Sequence, residues 1–242
     1  YDNQGAICLG EAVTFTANET DASSYTWKIN NRPVGSTNTL EYTFDQTGPH
    51  RIELSVTKNE CSNTSHQDIT IESLPNTKFT VNNNPVCISE PITFRVSEHK
   101  SGNSYSWNFG DGTEETTTNR TISHTYTEDN DYNVTLKVVK TTGCEATSEP
   151  TTITVNPLPN AGFESPEAAC QGEEVTFTAV SQDAESYTWF IDGTQILEEN
   201  LPTLSYTFNE ARDYNVKLTV SNNGCSAENV KTITINPLPN AG

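Results

Sequence analysis

Methionine is absent from this chain of 242 residues, and no basic stretch followed by an apolar run opens it. With neither a start residue nor a leader, the sequence is expected to be a piece of a longer polypeptide. No window approaches about 18 consecutive apolar residues, which excludes a membrane-spanning helix. Basic side chains are scarce, 13 Lys and Arg against 32 Asp and Glu, for a formal charge of −19. Such a surface repels phosphate backbones, so no nucleic acid is expected as a partner, and it disfavours adsorption to anionic lipid. Also missing are Cys-x-x-Cys, His-Glu-x-x-His, Gly-x-Ser-x-Gly, a phosphate-binding glycine loop, and any convincing 3.6-residue periodicity.

Thr (37) and Asn (26) fill the space these absences leave. Thr mixed with Val, Ile, Tyr and Phe is the composition of half-exposed strands and turns. The chain also repeats itself. Leu-Pro-Asn recurs at Leu74, Leu158 and Leu238, and Trp27, Trp107 and Trp189 recur at nearly equal intervals, each after Ser-Tyr-(Thr/Ser). A period of about 80 residues suits a small domain used in series. The expected domains are residues 1–73, with the first strand missing, then 77–156 and 161–236, with 237–242 starting a joint to a further domain.

Each repeat presents the same landmarks in order. A first cysteine (Cys8, Cys87, Cys170) precedes Val/Ile-Thr-Phe, and the Trp segment follows. An alternating run comes next, as in Tyr132-Asn133-Val134-Thr135-Leu136-Lys137-Val138, then a second cysteine (Cys61, Cys144, Cys225) and a closing Ile-Thr-Ile/Val. Period-2 alternation puts one face of each strand on a core and the other in water. Short strands split by Asn, Gly and Pro turns predict an all-β chain of antiparallel sandwiches with about seven strands each. The three Trp are expected in the cores.

Trp107-Asn108-Phe109-Gly110-Asp111-Gly112, followed by His124-Thr125-Tyr126, resembles the signature of the PKD (polycystic kidney disease) domain. The third repeat keeps only Trp189-Phe190-Ile191-Asp192-Gly193, and the first has Trp27-Lys28-Ile29-Asn30-Asn31. The resemblance implies three tandem Ig-like domains of PKD type in a rod-like array. The paired cysteines and Pro-Leu-Pro-Asn-Ala-Gly joints are similar to arrays in secreted surface proteins of the Bacteroidetes, including gliding-motility adhesins.

Six cysteines in a chain of secreted character suggest disulfides. Two pairings stay open. Within repeats the bonds would be Cys8–Cys61, Cys87–Cys144 and Cys170–Cys225. In an Ig-like topology, however, the first cysteine lies between the opening strands and the second in the last hairpin, about a strand length of ~20 Å away, while a disulfide needs Cα atoms within ~7 Å. The staggered alternative is Cys8–Cys144 and Cys87–Cys225, with Cys61 and Cys170 left for domains outside the chain.

Other chemistry is thin. Of the four His (His50, His66, His99, His124), His124 belongs to the family's His-x-Tyr strand, where a structural role is expected. The acid pairs Glu114/Glu115 and Glu198/Glu199 could in principle serve glycoside hydrolysis but change position between repeats. Calcium could use Asp111 with Glu114 and Glu115, or Glu128-Asp129-Asn130-Asp131; Asp111 is instead expected to cap its own turn. No cofactor and no catalytic residue is assigned. By resemblance, the function is that of a non-enzymatic stalk in a large adhesin at the outer cell surface. It would be exported by the type IX route, contacting neighbouring domains of its own chain, the secretion and motility machinery and an unidentified surface or polysaccharide ligand. The alternative is an accessory module of a secreted polysaccharide- or protein-degrading enzyme.

Overall fold

The computed structural model describes residues 6–196 and 200–240, and every described element is a strand or turn. In the third repeat, Phe163–Glu164, Glu174–Ala179 and Thr203–Thr207 form a three-stranded sheet. A five-stranded sheet packs on it, in the order Ala168–Cys170, Cys225–Asn236, Asp213–Asn222, Ser186–Ile191, Thr194–Gln195. The buried positions are the alternate ones: Val175, Phe177 and Ala179 from one sheet meet Trp189, Val216, Leu218, Ile233 and Ile235 from the other. The long hairpin turns at Asn223-Gly224, both with positive φ, the two-residue geometry that matches strand twist.

The other repeats build the same pair of sheets. The first has strands Ile7–Cys8, Cys61–Glu72, Gly48–Lys58, Ser24–Ile29 and Arg32–Gly35 in one sheet and Ala12–Thr16 with Thr39–Thr43 in the other. The second has Glu114–Thr117, Ser104–Asn108, Asn130–Val139, Thr151–Asn156 and Val86–Cys87 in one sheet and Thr121–Thr125, Pro91–Val96 and Phe79–Val81 in the other. Trp27, Trp107 and Trp189 are buried and pair across strands with Leu54, Leu136 and Leu218.

The expected antiparallel sandwiches are present, and each carries one short parallel pairing besides. In every repeat the first cysteine sits on a short strand that runs parallel to the last one, with Cys8 opposite Glu72, Cys87 opposite Asn156 and Cys170 opposite Asn236. The opening segment crosses from one sheet to the other, and on arrival it lies along the closing strand in the same direction. In the second repeat side-chain amides bridge the crossing. Asn82 Oδ1 accepts the Thr93 N–H at 2.8 Å in the first sheet, and Asn84 takes the Thr154 N–H and gives its own N–H to the Thr152 carbonyl, both at 3.0 Å. These amides satisfy backbone groups a continuous strand would have paired.

By packing, the chain divides into two compact units: residues 1–80, 94–122 and 134–151, and residues 81–93, 123–133 and 152–242. The division passes through the middle repeat, and each unit holds one disulfide.

Candidate functional site: the cysteine clasps

The first cysteine of each repeat is held by one set of backbone bonds. The next N–H donates to the carbonyl ending the closing strand: Leu9 to Glu72 at 2.9 Å, Ile88 to Asn156 at 3.0 Å, Gln171 to Asn236 at 2.9 Å. Two residues on, Gly10, Ser89 and Gly172 have positive φ, and their N–H groups reach the carbonyls of Phe44, Tyr126 and Phe208. Three residues on, Glu11, Glu90 and Glu173 donate back to the cysteine carbonyl. In the outer repeats the carboxylates of Glu11 and Glu173 accept the cysteine N–H at 3.1 Å. The cysteine is therefore fixed at the end of the closing strand three times over.

Within the first unit, Cys8 bonds Cys144 with Cα atoms 5.5 Å apart. The turn carrying Cys144 closes through Lys140 N–H to the Cys144 carbonyl at 2.8 Å. Lys140 Nζ donates to the Ser73 carbonyl at 2.7 Å and lies 3.3 Å from a Glu72 carboxylate oxygen. Within the second unit, Cys87 bonds Cys225 at a Cα separation of 5.7 Å, and Asn156 Nδ2 donates to the Asn223 carbonyl at 2.9 Å. Both bonds join neighbouring repeats, the staggered arrangement; the intra-repeat pairs are not formed. Of the bonded cysteines, Cys87, Cys144 and Cys225 are buried and Cys8 is half-buried, whereas Cys61 and Cys170 are free thiols and exposed. The supporting groups Lys140, Glu72 and Ser73 carry no sequence motif, and Asn156 in its repeated Asn-Pro-Leu-Pro-Asn-Ala-Gly and Asn223 in its Asn-Gly turn are marked as joint and turn residues, not as clasp residues; only their offsets from the cysteines, seen once the pairing is known, do that.

The remaining candidates lie apart from the clasps. Asp111 Oδ1 accepts the N–H and hydroxyl of Thr113 at 3.0 and 2.6 Å, capping its own turn between Gly110 and Gly112. Glu114 takes the Asn108 amide at 2.7 Å, and Glu115 is exposed beside it on the edge strand. Asp131 accepts the Thr154 hydroxyl at 2.7 Å, and the Glu128 carbonyl takes the Tyr132 hydroxyl at 3.0 Å. No group of three metal-ligating side chains occurs among the described residues, and Glu198 and Glu199 lie outside them. Trp107, Phe109 and Tyr126 are all buried, and His124 packs edge-on to Tyr126 with ring centroids 4.7 Å apart. His66 is exposed on the long hairpin and His99 packs against Tyr105.

His50 belongs to no motif, yet it is structurally placed. Tyr132 and Tyr214 each donate a hydroxyl to the carbonyl four residues earlier, at Glu128 and Glu210. In the first repeat His50 occupies that position, its Nε2 3.0 Å from the Gln46 carbonyl and its Nδ1 3.0 Å from Asn30 Nδ2. Because the Asn30 Oδ1 accepts the Arg51 N–H, its amide presents N–H to Nδ1, and the ring proton belongs on Nε2.

Residues 72–155 and 163–235 each match a PKD domain. No curated protein matches the chain in sequence. Among solved structures it is similar to three Ig domains of titin, I67–I69 (13% identity, 97% of this chain, 95% of that one, TM-score 0.45). It is also similar to domains 3–5 of Drosophila OTK (13%, 98% and 96%, 0.39) and to three N-terminal domains of the bacteriophage RB49 Hoc protein (12%, 97% and 96%, 0.44).

Proposed function

Over residues 72–155 and 163–235 the chain belongs to the PKD domain family, and from that premise we propose that it is a non-catalytic spacer in a secreted adhesin. The specific reading is a stalk of gliding-motility type in a Bacteroidetes surface protein, exported by the type IX route and held at the outer membrane. The stalk carries a distal region toward a surface or polysaccharide. The observation that carries the spacer role is the pair of disulfides bonding each repeat to the next. A bond closed within a domain would staple that domain's core; a bond closed between domains restrains the joint, which matters to a segment that transmits position or force. Disulfides and PKD domains together mark an extracellular protein. The charge of −19 adds self-repulsion that keeps such a segment soluble.

Solution scattering on the oxidised and reduced chain tests this. A spacer gives a radius of gyration well above the ~18 Å of a single globule of this length, and reduction broadens the distribution of inter-domain distances. A value no larger than that of a single globule, unchanged by reduction, would overturn the reading. A catalytic domain elsewhere in the parent polypeptide would turn it into an accessory module.

A further inference from the structure

The two unbonded cysteines are not unrelated surface thiols. Cys170 is built like Cys87: same parallel pairing to the closing strand, same donation from the next residue to the strand-ending Asn carbonyl, same return bond from the glutamate three residues on. That Asn is Asn236 in one case and Asn156 in the other, and both begin an identical Asn-Pro-Leu-Pro-Asn-Ala-Gly. Cys61 is built like Cys225. Each follows a two-residue turn with both residues at positive φ, Asn59-Glu60 and Asn223-Gly224, and each pairs with the residue before the turn, Lys58 or Asn222. In the closed clasp Asn156 donates its amide to the Asn223 carbonyl. The corresponding groups at the open positions are the exposed Asn236 side chain and the carbonyl of the exposed Asn59.

We propose that Cys170 and Cys61 are the two open halves of one more clasp, which closes between successive copies of this chain, Cys170 of one copy bonding Cys61 of the next with Asn236 reaching the Asn59 carbonyl. Such an interface is heterologous and head-to-tail, so it propagates from copy to copy. A second copy is the occupant because one chain carries both complementary halves, each built on the backbone pattern of its closed counterpart. Closure of this clasp does not depend on the spacer role.

The bond forms by a two-electron oxidation with a small disulfide such as oxidised glutathione as oxidant. The Cys170 thiolate attacks it and expels one glutathione thiolate, and the Cys61 thiolate then attacks the Cys170 sulfur and expels the second. The two protein thiols lose their protons, and one glutathione disulfide becomes two glutathiones.

Two copies fused directly, Gly242 to Tyr1, make the reaction intramolecular and raise its effective concentration. The fusion also reproduces the spacing found inside the chain, since the interval from Asn236 to the Cys8 that follows it equals the interval from Asn156 to Cys170. Each copy has two free thiols. In a glutathione redox buffer the thiol titre of the fusion should fall from four to two, and non-reduced peptide maps should show first-copy Cys170 linked to second-copy Cys61. Cys170→Ser in the first copy should hold the titre at three, while Cys8–Cys144 and Cys87–Cys225 peptides persist as the sign of folding. In parallel, the single chain at high concentration should give an oxidised ladder linked Cys170 to Cys61, stopped at the monomer by Cys61→Ser with Cys170→Ser. A titre that stays at four, or Cys61–Cys61 and Cys170–Cys170 links as abundant as Cys170–Cys61, would overturn the proposal.

Discussion

Repeats one and three share sheets, register and turns, and differ at the opening strand. In the third repeat Phe163 is buried with its ring edge-on to Trp189, centroids 5.2 Å apart, and Lys231 Nζ donates to its carbonyl. Beneath that strand Leu218 and Val220 are fully buried. Among the described residues the first repeat has no counterpart to the Phe163 strand. Its Leu54 and Val56, at the matching positions, are only half-buried, and they line a cavity of about 550 Å³ with Phe15 and Trp27. In the third repeat the opening strand therefore adds burial over the Trp face.

The largest expected effect concerns the two long hairpins, alike in turn geometry but one bonded and one open. Replacing Cys87 and Cys225 together by Ser opens a loop with a sequence separation of 138, and loop entropy puts the loss at about 5 kcal/mol. Cys61→Ser should change stability by less than ~0.5 kcal/mol. Denaturant unfolding of the two variants checks this; equal losses would mean that the bond contributes nothing beyond its turn. Next comes the opening strand itself. Phe163→Ala should cost about 3–5 kcal/mol and shift Trp189 emission to the red, making the third repeat resemble the first. Leu218→Ala should cost about 2–5 kcal/mol and Leu54→Ala at most half as much, since Leu54 has less contact to lose. Comparable losses at the two leucines would show that the cavity beside Leu54 is closed in solution.

Those contrasts show what sequence could carry. The Trp strand and the alternating run after it were legible because five or more residues hold a period of two, and Trp107-Asn108-Phe109-Gly110-Asp111-Gly112 marked its own turn. The parallel strands at Ile7–Cys8 and Val86–Cys87 are two residues long, too short for any period to register. The staggered clasp was reachable only as one of two pairings, because choosing between them needed strand order in space. Lys140 and Asn156 could not be read as clasp residues, since their partners lie 67 positions away in each case. His50 hid for another reason: the first repeat uses a ring nitrogen where the others use a phenol, so identity is lost while the donor is kept.

That substitution gives a smaller test of the same comparison. Tyr214→Phe removes the bond to the Glu210 carbonyl and His50→Phe removes the bond to the Gln46 carbonyl, each for about 1 kcal/mol. His50→Tyr should recover most of its share by supplying the hydroxyl found in the other repeats. If His50→Tyr is as damaging as His50→Phe in the same unfolding measurement, the imidazole is held for its second contact, to Asn30, and the two repeats are less alike at this corner than their backbones.

The smallest effect lies three residues after the tryptophan. Asp192 Oδ1 accepts the Asn215 N–H at 2.9 Å, as Asn30 Oδ1 accepts the Arg51 N–H at 2.9 Å in the first repeat, both from residues at positive φ. Asp192 alone is ionisable. The Asn215 N–H and then the Arg212 guanidinium hold its carboxyl below the ordinary value. A depressed folded value means that this contribution is present above the unfolded pKa, about 4, and is lost as pH falls through the lower folded one. Asp192→Asn keeps an acceptor for the Asn215 N–H and gives up the ion pair with Arg212, an exposed pair that solvent screens to a small contribution. The variant should therefore be slightly less stable than the parent at pH 6, and the gap should close as pH drops below about 4. Parallel urea titrations from pH 6 to pH 3 measure it; a gap that stays constant would mean that the carboxylate serves the third repeat only as Asn30 serves the first, through its neutral oxygen.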